Sequence, residues 1–165
     1  MKKIKNNIKK IKYLFLIALA GIGISVISCG KNAQNESSSQ EIAEQFLEQI
    51  FTSNYENRYT EFLEGEDIET YYQAFSNCVS QECIEKLQQN RIPIKYDKEA
   101  YEKNISYVVS DIALTFDEIG IGNFEVILIV DNNESSELKK ATGQLKVENG
   151  KITNFFLSNI VPYEK

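Results

Sequence analysis

The sequence predicts an α+β protein whose N-terminal helices pack on a bent antiparallel sheet of about four strands, and three observations carry that expectation. Apolar side chains recur every three to four positions as far as Ile92, the spacing of a helix with one buried face. After Asn104 they move to alternate positions, the period of a strand with one covered face. Asn149-Gly150 then supplies the two positive-φ residues of a tight hairpin, so the closing strands are antiparallel neighbours. Helices first and hairpins after give segregated layers, not alternating βαβ units.

The first helix is expected to start where Ser38 stands three residues before Glu41, a reciprocal capping pair. Ile42, Phe46 and Ile50, beside Ala43, Leu47 and Phe51, lay one apolar stripe along it, and it ends near residues 52–54. Asn54 caps a second, short helix with Tyr55, Tyr59, Phe62 and Leu63 on one face, stopped by Gly65. Asp67 caps a third with Ile68, Tyr71, Tyr72, Phe75 and Val79 inward, and the acidic cluster EGEDIE (residues 64–69) suits its positive end. A fourth begins at Ser80, runs through Ile84 and Leu87, and is closed by Pro93.

Residues 105–119 make a long strand whose inward phase switches from Ile105, Tyr107 and Val109 to Ile112, Leu114 and Phe116. One extra residue at Ser110-Asp111 reconciles the halves, and such a bulge bends the sheet. FEVILIV (residues 124–130) is nearly continuous apolar, as a central strand is. Ala141, Gly143, Leu145 and Val147 alternate with Lys140, Thr142, Gln144 and Lys146, giving a strand with one wet face. The last strand runs from Lys151 to about Val161.

Two stretches resemble the nuclear transport factor 2-like, or cystatin-like, superfamily. AEQFLEQIFTSNYENRYTEFL (residues 43–63) is similar to its first helix, polar break and aromatic second helix, and VENGKITNFFL (residues 147–157) is similar to its final hairpin. Together they cover under a third of the chain. The resemblance implies a cystatin-like cone. Small exported bacterial lipoproteins with this fold are common, and its enzymatic relatives, polyketide-cyclase-like and steroid-isomerase-like, seat Asp, His or Tyr groups in a pocket between helices and sheet.

Residues 1–28 read as a targeting segment. Residues 1–12 carry six lysines and no acid, the cytoplasm-facing part of an export signal. Residues 13–28 are uncharged, glycine-broken and shorter than the roughly 20 apolar residues of a spanning helix. Val26-Ile27-Ser28-Cys29 resembles the lipobox of bacterial lipoproteins, with Val26 where leucine is usual and Ser28 where glycine or alanine is usual. The resemblance implies that Cys29 takes a diacylglyceryl group, that cleavage releases residues 1–28, and that acyl chains such as palmitate anchor the exported chain to a bacterial membrane, cytoplasmic or outer. Two or three acyl chains anchor stably where one holds marginally. An ordinary secretory signal and an N-terminal anchor helix are the alternatives. Residues 29–40, rich in Asn, Gln and Ser, read as a flexible tether, and residues 41–165 as a single α+β domain.

The chain has 18 basic and 24 acidic side chains, a net charge of −6. Six of the lysines leave with the signal, so from Cys29 onward 12 cations face 24 acids and the formal charge is −12. That repels phosphate backbones and argues against a nucleic-acid partner. With no histidine, His-based general-base chemistry and most zinc sites are gone. DNNESSE (residues 131–137) places oxygens at alternate positions, but Ser136 stands where a calcium loop turns on glycine and Thr142 where a bidentate Glu closes it. It reads as a solvated hairpin loop. No metal and no cofactor are expected.

Cys78 and Cys83 are an even pair in an exported, oxidising setting and are expected to form a disulfide. On an unbroken helix, residues five apart point about 140° away from each other. The bond therefore requires the chain to leave helix between Val79 and Glu82, where Ser80 is placed to cap.

Seven of the nine tyrosines lie between Tyr55 and Tyr107. Tyrosine buries a ring while keeping a polar tip, which suits a pocket rim or a protein-contact face. The expected function is non-catalytic binding of a small apolar ligand or another envelope protein. The groove between tyrosine-bearing helices and concave sheet is the expected site, with Tyr59, Tyr71, Tyr72 and Tyr107 as contacts. Two alternatives stay open. A pocket enzyme of the polyketide-cyclase-like type uses a desolvated Asp111 as base, and an assembly factor of a secretion or conjugation complex oligomerises or joins membrane machinery.

Overall fold

A computed structural model describes residues 32–132 and 134–164. Among the described residues, five α-helices precede a four-stranded antiparallel sheet of order β1-β2-β3-β4, which is the α+β class expected. The helices are α1 (Asn32–Phe51), α2 (Arg58–Leu63), α3 (Ile68–Gln73), α4 (Gln81–Gln89) and α5 (Ile94–Lys103), with a 3₁₀ turn at Tyr55–Asn57 before α2. The strands are β1 (Ser106–Phe116), β2 (Ile121–Asp131), β3 (Ser136–Glu148) and β4 (Lys151–Pro162). Helices ahead of an antiparallel meander are compatible with a nuclear transport factor 2-like, or cystatin-like, fold. The expected export signal and Cys29 lie outside the described residues.

Helix α1 is already formed at Asn32, the first described residue, ahead of Ser38 and inside the stretch read as tether. Residues 32–37 hold neither glycine nor proline, and lengthening an existing helix is far easier than nucleating one. Its apolar stripe is as expected: Ala43, Phe46, Leu47, Ile50 and Phe51 are buried. Phe155 from β4 lies edge-on to Phe46 at 5.2 Å and stacks on Phe124 of β2 at 5.5 Å. Aromatic rings therefore fill the space between α1 and the sheet. Gly143 permits the stacking, because a Cβ there would lie 2.1 Å from the Phe156 carbonyl oxygen and 2.5 Å from the Phe124 ring.

Asp67 and Ser80 cap where the sequence places them, and Asn54, three residues ahead of Asn57 at the N-cap of α2, still receives that helix's first N–H groups. Asn54 Oδ1 accepts from Tyr59 N at 2.9 Å and Thr60 N at 3.1 Å, Asp67 Oδ1 from Thr70 N at 2.7 Å, and Ser80 Oγ from Cys83 N at 3.3 Å. Helix α3 is shorter than expected. Phe75 and Val79 are buried beyond its end, and Val79 forms a parallel bridge with Ile152 of β4. Helix α5 is an addition that periodicity does not signal: its buried positions are Asp97 and Ala100, so no apolar stripe marks it. Pro93, expected to close α4, stands at the N-cap of α5 and so opens the next helix.

The sheet has its bulge between Val109 and Asp111, and the β3–β4 turn has φ of 52° at Asn149 and 72° at Gly150. Cys78 and Cys83 are buried free thiols, so the expected bond does not join them. The chain does leave helix at Val79, but the Cys78 thiol points at Gln49 Oε1 and at the Phe75 carbonyl, each 3.6 Å away. Among the described residues no helix is long and apolar enough to cross a membrane.

Candidate functional site

Helices α2, α3 and α5 are gathered around one buried ion pair. Arg58, the first residue of α2, gives Nε to Asp97 Oδ2 at 2.7 Å and Nη2 to Asp97 Oδ1 at 3.1 Å. Asp97 also accepts from Tyr71 Oη at 2.6 Å and from the Asn54 backbone N–H at 2.9 Å, so both its oxygens are doubly engaged. The guanidinium answers the exposed carbonyl end of α1 as well, at Gln49 O and Thr52 O, and lies 5.5 Å from the Phe75 ring centroid. A buried pair with every group satisfied is a joint that fixes α1, α2, α3 and α5 relative to one another. It is not a base held ready for substrate. Burial pushes the Tyr71 phenol well above its ordinary value; Arg58 opposes that and Asp97 adds to it.

Tyr59 separates two cavities. The larger, about 440 Å³, is bounded by Ser53, Asn54, Thr60 and Asn104 and reaches Asp97, whose oxygens are already occupied. The smaller, about 350 Å³, lies among α2, α3, α4 and α5, and its walls are Tyr59, Phe62, Ile68 and Ile94. That volume is at the lower end of the range for small-ligand pockets, roughly 300–1,000 Å³. Tyr72 also borders it, but the residue is 1 % exposed and its hydroxyl, with no hydrogen-bond partner among the described residues, is closed off from a water-sized molecule. Burial pushes this phenol up too, with Arg58 and Arg91 opposing and Asp97 adding. Arg91, Lys95 and Lys98, all exposed, stand at the mouth.

Of the four tyrosines expected at a groove, Tyr59 and Tyr72 meet on this cavity. Tyr71 lies behind, edge-on to Tyr72 at 5.0 Å, with its hydroxyl on Asp97. Tyr107 is elsewhere, on β1, 6.5 Å from Tyr96. The cavity is between helices, not against the sheet, because the phenylalanine cluster occupies the sheet face. Asp111 is exposed at the bulge, in an open cleft shared with Glu41, Glu44 and Glu48. It lacks the apolar enclosure that a carboxylate base requires.

Sequence reasoning does not reach Arg58, Asp97 or the cationic mouth. Part of the signal for the last was present: Lys95 and Lys98 are three apart, one face of a helix, in a chain otherwise dominated by acids, whereas Arg91 joins them only through the turn between α4 and α5. Among the described residues no cluster of His, Cys, Asp or Glu is placed to hold a metal ion. No protein-family model, no curated protein and no solved structure matches this chain.

Proposed function

We propose that this chain is an exported bacterial lipoprotein of nuclear transport factor 2-like architecture, anchored through Cys29, that holds a small ligand in the interhelical cavity without turning it over. The cavity itself, walled by Tyr59, Phe62, Ile68 and Ile94 and carrying three exposed cations at its mouth, is the observation that carries the binding reading. The lysine-rich start, the uncharged run and Val26-Ile27-Ser28-Cys29 support the anchor. Non-catalytic binding is favoured because Asp111 is open to water and both Asp97 oxygens are engaged.

The full chain purified from its native host tests both parts by mass spectrometry. A mature chain starting at an acylated Cys29 is expected, and under native conditions a retained small molecule that Ile68→Trp, which fills the cavity, fails to retain. Residue 29 unmodified with residues 1–28 attached would overturn the anchor. Equal retention by Ile68→Trp would overturn the assignment of the cavity.

A further inference from the structure

Resting on that binding reading, we propose that the cavity's ligand is a small organic carboxylate: an apolar, ring-sized body enclosed by Tyr59, Phe62, Ile68 and Ile94, with its acid group at Arg91, Lys95 and Lys98. The charge distribution separates this class from other apolar molecules. From Cys29 onward the chain has 12 cations against 24 acids, yet three of the 12 converge on one cavity mouth. Lys98 meets Glu102 at 3.6 Å, while neither Arg91 nor Lys95 is ion-paired among the described residues. Lys95 lies 4.8 Å from the Tyr96 ring centroid, a contact that leaves an exposed ammonium free to meet an anion.

The backbone holds these cations in place. Arg91 sits at φ 53°, in the turn between α4 and α5, and its N–H donates to Gln88 O at 3.0 Å. Lys95 and Lys98 are three apart on α5 and share a face. A carboxylate is planar and accepts two parallel bonds from a guanidinium, which Arg91 offers at the mouth.

The test uses the full chain and three probes of one shape: 2-naphthoate, 2-naphthalenemethanol and 2-naphthylmethylammonium, titrated by calorimetry and followed by the methyl signals of Ile68 and Ile94. The naphthoate is expected to bind about tenfold more tightly than the alcohol, with the ammonium weakest. The double variant Arg91→Gln, Lys95→Gln should remove that margin, bringing the naphthoate's affinity down to the alcohol's. An alcohol that binds as tightly as the naphthoate, or a margin that survives the double variant, would overturn the anion preference while leaving a binding cavity. If no probe moves either isoleucine signal, binding in this cavity fails, and the anion preference with it.

Discussion

Asp97 Oδ2 accepts both Arg58 Nε, at 2.7 Å, and Tyr71 Oη, at 2.6 Å, in a site where Asp97 is 2 % and Arg58 5 % exposed. Removing one charge of such a pair strands the other in a poorly solvated interior. Asp97→Ala should therefore lower the unfolding free energy in urea by about 3–5 kcal/mol. Replacing both charges, as in Arg58→Met with Asp97→Leu, should cost less than either single change. A single-variant loss under about 1 kcal/mol would mean that water reaches the pair.

Tyr72 gives the opposite sign. Its hydroxyl has no partner to lose, so Tyr72→Phe should raise stability at neutral pH by about 1 kcal/mol. The effect should grow in alkali. The folded chain holds this phenolic proton above the ordinary value near 10.0, so below that value both states are protonated and the full stability is present. Above it the unfolded chain releases the proton first, the folded state binds more protons, and stability falls as pH rises. Tyr72→Phe removes that loss and should shift the midpoint of alkaline unfolding upward, as read by circular dichroism.

What the sequence made legible follows from which residues carry an apolar pattern. Phe46, Leu47 and Ile50 mark their helix face by type, and the phase switch from Val109 to Ile112 is enough to locate the bulge. Asn54, Asp67 and Ser80 are legible as caps because their short side chains reach backbone N–H groups locally. Helix α5 is not, because its deepest side chain is a carboxylate whose burial depends on Arg58, 39 positions earlier. The cavity is hidden for the same kind of reason. The tyrosines point to a pocket by their amphipathic chemistry, but periodicity does not report that Phe124, Phe155 and Phe46 close the sheet face and leave the open space between helices.

Asn54 combines a cap with a left-handed backbone, at φ 49°. Its Oδ1 holds the N–H groups of Tyr59 and Thr60, and its own N–H reaches Asp97. Asn54→Gly keeps the conformation and loses the side-chain bonds, whereas Asn54→Ala loses both. The alanine variant should be about 1–2 kcal/mol less stable than the parent, with the glycine variant between them. Equal losses would show that the cap alone matters and that the backbone conformation adds nothing.

The two core thiols should be unreactive for a stated reason. Burial pushes Cys83 up to about 11, with Lys86 opposing and Glu82 and Cys78 adding, and burial also raises Cys78. Against an ordinary value of 9.0, the Cys83 thiolate fraction at pH 8 falls about a hundredfold. In a reduced Cys29→Ser chain, Ellman's reagent at pH 8 should find neither thiol until denaturant is added, and then both. Prompt reaction of one in the folded state would mean that its packing opens.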